Sequence, residues 1–133
     1  MRPKTLLIED NDAVRGVLCR AFAKAGWDVQ PSATPAAAIA VARVDHFDVI
    51  VSDVCLPGMT GFQLADRLSA LQPHAGVIFI SGYPPDMMRE ANGQPVLQKP
   101  FRTKELITLA DQLIRRRPGG GDLQRLAAFD AQV

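Results

Sequence analysis

Five polar side chains each stand at the end of a short apolar run in this sequence. Glu9 and Asp10 follow TLLI, Asp53 follows DVIVS, Ser81 follows GVIFI, and Lys99 follows PVLQ. Three carboxylates brought to one place repel one another unless a cation lies between them. Lys99 supplies one positive charge, and the remaining deficit suits a hard divalent cation such as Mg²⁺, which prefers oxygen ligands. The residue types therefore predict an acidic, magnesium-binding pocket, provided that the fold gathers them.

The elements that must gather these side chains follow from the apolar pattern. Short continuous apolar runs alternate with segments in which apolar residues such as Val14, Leu18 and Phe22 recur at helical spacing. The predicted strands are 5–10, 27–33, 47–53, 76–82 and 94–100, and the predicted helices lie around 14–25, 34–44, 62–71, 85–91 and 106–114. Strands that are apolar on both sides are typical of a parallel sheet covered by helices on both faces. We therefore predict an α/β domain with a three-layer, doubly wound (βα)5 flavodoxin-like fold and a five-stranded parallel sheet, whose strands end at one ligand-binding edge.

Length and composition exclude several classes of protein. The 133 residues suit one domain, and a net charge of +1 gives no strong attraction to polyanions such as nucleic acids. No apolar run is long enough to span a bilayer, and the N-terminus lacks the pattern of a secretory signal, so the predicted location is the cytoplasm, with no membrane partner. Cys19 and Cys55 form neither a disulfide framework nor a metal-binding CxxC pair.

The motifs IEDND, DVIVSDVCLPGMTG, FISGY and LQKPF resemble those of the response-regulator receiver domain of two-component signal transduction, in the CheY-like superfamily. The resemblance predicts a receiver domain over 1–117, followed over 118–133 by a Pro/Gly hinge and a short tail with no output domain. It implies that Asp53 is the phosphoacceptor and that Ser81 and Lys99 bond the phosphoryl group. It also implies that Mg²⁺ is held by Glu9, Asp10, Asp53 and the main-chain carbonyl of Cys55.

By the same resemblance, the chain is a signalling domain activated by phosphorylation. A sensor histidine kinase or a histidine phosphotransfer protein would donate the phosphoryl group in a Mg²⁺-dependent reaction, with Mn²⁺ as a substitute ion. The domain would not be an enzyme with a separate substrate, since it would promote only transfer to its own Asp53 and the later hydrolysis. Cys55 and Tyr83 would tune the phosphorylated lifetime. A switch region would then alter a surface for a downstream protein target or a second copy of the chain; it comprises Ser81, Val96, Lys99 and Pro100, with a cis peptide bond before Pro100.

Two features of the sequence depart from the common receiver pattern. Val96 stands where many receivers carry Tyr or Phe, and the stretch from Ser81 to Lys99 is short. These departures leave open the alternative of a receiver-like protein-interaction module that works without phosphorylation. The complete set of site residues argues against that alternative: Glu9, Asp10, Asp53, Ser81 and Lys99. A haloacid-dehalogenase-like phosphatase is disfavoured because Cys55 replaces the second aspartate of that pattern. A nucleotide-binding carrier is disfavoured because its first loop would be glycine-rich, and here it reads EDND.

Overall fold

Five apolar segments form the strands of one parallel sheet in the computed structural model, which describes residues 2–84 and 91–115. The strands are β1 (Lys4–Ile8), β2 (Asp28–Ser32), β3 (Val49–Asp53), β4 (Gly76–Ser81) and β5 (Val96–Gln98). Their order across the sheet is β2-β1-β3-β4-β5, and every pairing is parallel. The direction of winding therefore reverses between β1 and β3, which is where ligands bind in sheets of this kind.

Four helices cover the two faces of the sheet in the part of the chain that the structure describes. They are α1 (Asp12–Lys24), α2 (Pro35–Ala42), α3 (Gly61–Leu71) and α4 (Thr103–Arg115). Apolar residues of α1 and α4 pack with one set of strand side chains, and those of α2 and α3 pack with the alternate set. The three-layer, doubly wound architecture predicted from the sequence is confirmed. The helix predicted around 85–91 lies outside the described residues except for Ala91, and the predicted tail over 118–133 lies outside them entirely.

Local signals in the sequence start the first three helices. The Asn11 side chain accepts a hydrogen bond from the Val14 N–H and caps α1. Thr34 caps α2 and is followed by a proline at the first helical position, where no N–H is needed. Thr60 and Gln63 form a reciprocal capping box at the start of α3. These caps set where each helix begins relative to the strand before it.

The predicted ends of β1 and β5 were wrong by one to two residues. Glu9 continues the β1 ladder through its N–H, which donates to the Ser32 carbonyl at 3.1 Å, but its own carbonyl accepts from the Arg15 guanidinium. The ladder therefore stops, and β1 ends at Ile8 instead of residue 10. Strand β5 shrinks to three residues at the sheet edge, because prolines at 95 and 100 cannot donate to the ladder.

A buried glutamine bonds the loop that leads into β3, at the amino-terminal ends of the strands. The Gln72 side chain accepts from the Phe47 N–H at 3.1 Å and donates to the carbonyls of Ala42, at 2.9 Å, and Asp45, at 2.6 Å. Lys4 also reaches this end of the sheet, where its ammonium group bonds the Asp45 carboxylate. This end of the molecule is thus held by polar contacts that are separate from the acidic edge. Among the described residues, no helix is long and apolar enough to cross a membrane.

Candidate functional site

Three carboxylates converge at the carboxyl edge of the sheet, on either side of the point where the winding reverses. Glu9 and Asp10 follow β1, and Asp53 is the last residue of β3. One carboxylate oxygen of each lies within 4.8 Å of the others. Glu9 is fully buried, Asp53 is 6% exposed, and Asp10 is open to solvent. The convergence expected from the sequence is confirmed.

Lys99 joins two of these acids. Its ammonium group lies 2.9 Å from Asp53 Oδ2 and 3.0 Å from Glu9 Oε1, with the lysine side chain about one-third exposed. Lys99 follows β5, so a residue from the far edge of the sheet reaches across β4 to the central acids. One ammonium group does not neutralise three carboxylates. The site therefore keeps an excess of negative charge that faces solvent through Asp10.

Burial and hydrogen bonding shift the pKa values of Glu9 and Lys99 in opposite directions. Burial raises the pKa of Glu9 above its ordinary value, although hydrogen bonds from the Asn11 N–H and from Lys99 act against it. Burial by itself would lower the pKa of Lys99, but the hydrogen bonds to Asp53 and Glu9 outweigh it and raise that pKa. Lys99 is therefore a fixed positive charge at neutral pH.

The loop that follows Asp53 contacts both its carboxylate group and its main chain. Its Oδ1 accepts from the Cys55 N–H at 3.1 Å, which leaves Oδ2 for Lys99. The chain then returns over Asp53, because the Gly61 N–H donates to the Val54 carbonyl at 2.8 Å. At Gly61 the returning chain is so close that a Cβ atom there would lie 2.2 Å from the Asp53 carbonyl oxygen. Only glycine permits this approach, so the start of α3 is packed directly against the backbone of Asp53.

Ser81 and Tyr83 follow the neighbouring strand, β4. Asp53 pairs with Ile80 in the sheet register, so Ser81 is the first residue beyond that pair. The Ser81 side chain is buried, and its Oγ accepts from the Tyr83 N–H at 2.9 Å. A hydroxyl that accepts in this way keeps its own O–H to donate elsewhere. Tyr83 is 56% exposed, and Cys55 is also exposed.

The remaining residues of the predicted switch region lie on β5 and directly after it. Val96 is half-buried, pairs with Phe79, and packs against the core cluster beneath α2 and α3. The Lys99–Pro100 peptide bond is cis, as the resemblance implies. The N–H of Lys99 donates to the Ser81 carbonyl at 2.7 Å, so these two residues of the predicted switch region are in direct backbone contact.

The sequence patterns did not predict two residues that bond Glu9 at the site. The Asn11 N–H donates to Glu9 Oε2 at 3.1 Å, and Arg15 donates to the Glu9 carbonyl at 2.9 Å. The signal for Asn11 is its type and place, since asparagine directly before a helical pattern is a favoured cap. No comparable signal marks Arg15, because its contact depends on which way that face of α1 is turned.

The donor set fits a hard divalent cation. All the converging acidic groups offer oxygen, and the exposed position of Asp10 leaves room for the water ligands that Mg²⁺ retains. Fold and site together thus define a class of protein: a doubly wound domain with a lysine-bridged acidic pocket at the reversal point of its sheet.

Comparison with known proteins narrows this class to one family. Residues 5–111 match the family model described as the response regulator receiver domain. The response regulator receiver protein CpdR of Brucella abortus is 28% identical over 84% of this chain and 96% of its own length. The crystal structure of a response regulator receiver protein from Sinorhizobium medicae is 26% identical, with a TM-score of 0.79 over 87% of this chain and 97% of that one. The chain belongs to the response-regulator receiver family of two-component signalling.

Receiver domains occur in larger proteins as well. The sensor kinase CckA of Brucella abortus is 33% identical over 84% of this chain, but the match covers only 12% of the kinase. Receivers are signalling domains that interact with histidine kinases and downstream effectors. The fold and the family therefore agree with phosphorylation-type signalling as the general role of the chain.

Proposed function

We propose that this chain accepts a phosphoryl group on Asp53 from a sensor histidine kinase or a histidine phosphotransfer protein, in a Mg²⁺-dependent reaction. The observation that carries the proposal is the contact of Lys99 Nζ with Asp53 Oδ2, 2.9 Å, in a pocket that also gathers Glu9 and Asp10. A buried carboxylate beside a fixed positive charge suits a nucleophile that must receive a dianionic group.

The acidic residues would hold the cation, and the donors around Asp53 would hold the phosphoryl oxygens. Glu9, Asp10 and Asp53 are the carboxylate ligands in this proposal, with the main-chain carbonyl of Cys55 as a further ligand. When bound, Mg²⁺ would neutralise charge on the transferring group. Mn²⁺ satisfies the same oxygen donors.

The transfer itself needs little covalent chemistry from the protein. An Asp53 carboxylate oxygen forms a bond to phosphorus while the P–N bond of the phosphohistidine breaks, and its electron pair stays with the imidazole. Lys99 and the Ser81 hydroxyl would donate to the phosphoryl oxygens, because Ser81 accepts from Tyr83 and keeps its own proton. The Cys55 N–H already points at Asp53 Oδ1. Hydrolysis of the acyl phosphate would return the domain to its resting state, with Cys55 and Tyr83 controlling the access of water.

Phosphorylation would act as a switch through charge. A phosphoryl group adds about −1.5 to −2 of charge at pH 7, which would draw Lys99 away from Glu9 and recruit Ser81. The N–H of Lys99 bonds the Ser81 carbonyl, so a shift of either residue is passed to the other. The movement would reach Val96 and Pro100 and change a surface for a downstream protein or a second copy of the chain.

Intact mass spectrometry tests the proposal directly. The full chain is incubated with a small phosphodonor and Mg²⁺, beside Asp53→Asn and a chelator-treated sample. Asp66→Asn serves as the matched control, since Asp66 is an exposed carboxylate on α3. One phosphoryl increment is expected for the wild type and for Asp66→Asn, and none for the other two samples. No increment in the wild type, with beryllofluoride also failing to bind, would overturn the proposal in favour of a module that works without phosphorylation.

A further inference from the structure

The peptide group that joins Glu9 to Asp10 is held by a side chain from outside the acidic cluster. The Arg15 guanidinium donates through one nitrogen to the Glu9 carbonyl, 2.9 Å, and through the other to Asp12 Oδ1, 2.6 Å. Arg15 lies on the first turns of α1, and its side chain is 21% exposed. The Glu9 carbonyl oxygen belongs to the peptide plane that leads into Asp10. The Arg15 guanidinium therefore bonds the peptide group between the two acids directly.

The other polar groups of Glu9 are bound as well. Its N–H donates to the Ser32 carbonyl at 3.1 Å, and its carboxylate accepts from the Asn11 N–H at 3.1 Å and from Lys99 at 3.0 Å. The contact from Arg15 is the one that fixes the carbonyl. Without it, the peptide plane could rotate, and Asp10, which is exposed, would turn with it.

We propose that Arg15 is a positioning residue for the cation site: it holds the Glu9–Asp10 peptide group and so keeps both carboxylates in place for a divalent cation. This inference rests on the proposed Mg²⁺ site. Arg15 is not a ligand, and it acts through the backbone of the two acids. Residues that orient ligands in this way typically change metal affinity by about 10–100-fold when they are lost.

The direction in which Mg²⁺ affinity changes when Arg15 is replaced distinguishes a positioning role from a purely electrostatic one. A positive charge beside a cation site weakens cation binding, so removal of Arg15 would tighten Mg²⁺ binding if charge were its only influence. If Arg15 positions the acids, its removal weakens Mg²⁺ binding in spite of the lost repulsion. Arg15→Lys sharpens this contrast, because lysine keeps the charge but lacks the planar fork that reaches two acceptors.

The test is calorimetric titration of Mg²⁺ into the full chain, for the wild type, Arg15→Met, Arg15→Lys and Arg20→Met. Arg20 is the matched control, as an exposed arginine on the same helix. We expect affinity to fall about tenfold in both Arg15 variants and to stay within about twofold in Arg20→Met. Backbone amide NMR of the metal-free proteins is the second readout, and the Arg15 variants should show shifts at residues 9–11 in addition to those at Asp12 and next to the substituted residue.

The outcomes are distinct. Mg²⁺ binding as tight as wild type, or tighter, in either folded Arg15 variant overturns the positioning role and leaves the proposed function standing. Should Arg15→Met not fold, Arg15→Lys decides the question, since it retains the long side chain and the charge. A wild-type protein that binds no Mg²⁺ overturns the metal site in the proposed function, and the inference fails with it.

Discussion

Replacing Gly61 by alanine should damage the protein far more than the same replacement in the middle of a helix. A Cβ atom at Gly61 would lie 2.2 Å from the Asp53 carbonyl oxygen and 2.9 Å from both the Asp53 carbonyl carbon and Val54 Cα. The gap must open by about 0.8 Å to reach even 3.0 Å, a separation that Cβ atoms essentially never undercut. The obstructing atoms are backbone atoms at the end of the fully buried strand β3, so no side chain can swing aside.

The magnitude follows from this rigidity. Overpacking of a core costs about 1–3 kcal/mol and occasionally more, and a backbone obstruction belongs at the upper end. We expect Gly61→Ala to lower the free energy of unfolding by about 3 kcal/mol and the Tm by about 10 °C. The control is Gly16→Ala on α1, where the new Cβ would lie 3.5 Å from Arg20 Nη1 in ordinary contact. That change should raise stability by about 0.5–1 kcal/mol, because alanine is the better helix former.

Urea unfolding followed by fluorescence is the assay, since Trp27 is the single tryptophan and is 2% exposed. The displacement in Gly61→Ala also falls on the backbone of Asp53, so the proposed phosphorylation of Asp53 by a small phosphodonor should be slower than in the wild type even well below the Tm. A Gly61→Ala protein within about 0.5 kcal/mol of wild type would refute the close approach of α3 to β3.

Four further changes test other parts of the structure. Gln72→Leu should cost about 2–4 kcal/mol in urea unfolding, because it strips two buried backbone groups and a partly buried one of their partner; a cost near zero would contradict that bonding. The hydrogen bond from Lys4 lowers the pKa of Asp45, so their ion pair stabilises the fold at pH values above the ordinary aspartate pKa of about 4. That stabilisation is lost as the pH falls through the lower pKa that Asp45 has in the folded protein. The Tm difference between wild type and Asp45→Asn should accordingly be present at neutral pH and shrink as the pH falls below about 4, and a difference independent of pH would argue against the pair. Asp10→Asn should keep or slightly raise the metal-free Tm, because it removes one of three mutually repelling charges, but it should lose the gain that the proposed Mg²⁺ site would give the wild type, about 1.4 kcal/mol at tenfold excess over Kd. Differential scanning calorimetry measures both, and an undiminished gain would remove Asp10 from the site. Ser32→Ala should raise stability by up to about 1 kcal/mol in urea unfolding, since Ser32 Oγ is buried without a hydrogen-bond partner in the described structure, and a clear loss would show that the hydroxyl is bonded.

Much of the architecture could be read from local patterns. Apolar runs of strand length and apolar residues at helical spacing predicted five strands and a doubly wound sheet, and the structure confirms both. Parallel strands bring their carboxyl ends to one edge whatever the details of packing, so the convergence of Glu9, Asp10 and Asp53 was also predictable. The ends of the strands were harder to predict from the sequence. Strand β1 stops where Arg15 donates a hydrogen bond to the Glu9 carbonyl, and that contact depends on the orientation of α1.

The side chains that stand at the ends of the strands can be identified without coordinates, because they follow from order along the chain. The position of Lys99 between Glu9 and Asp53, from which it is 90 and 46 residues distant in the chain, depends instead on how the strands are arranged in space. The same is true of Gly61, whose closeness to Asp53 comes from the packing of α3 on β3. Such contacts depend on strand order, register and the rotation of each helix about its axis. Those quantities are set by the simultaneous packing of two apolar faces, and no local stretch of sequence contains them.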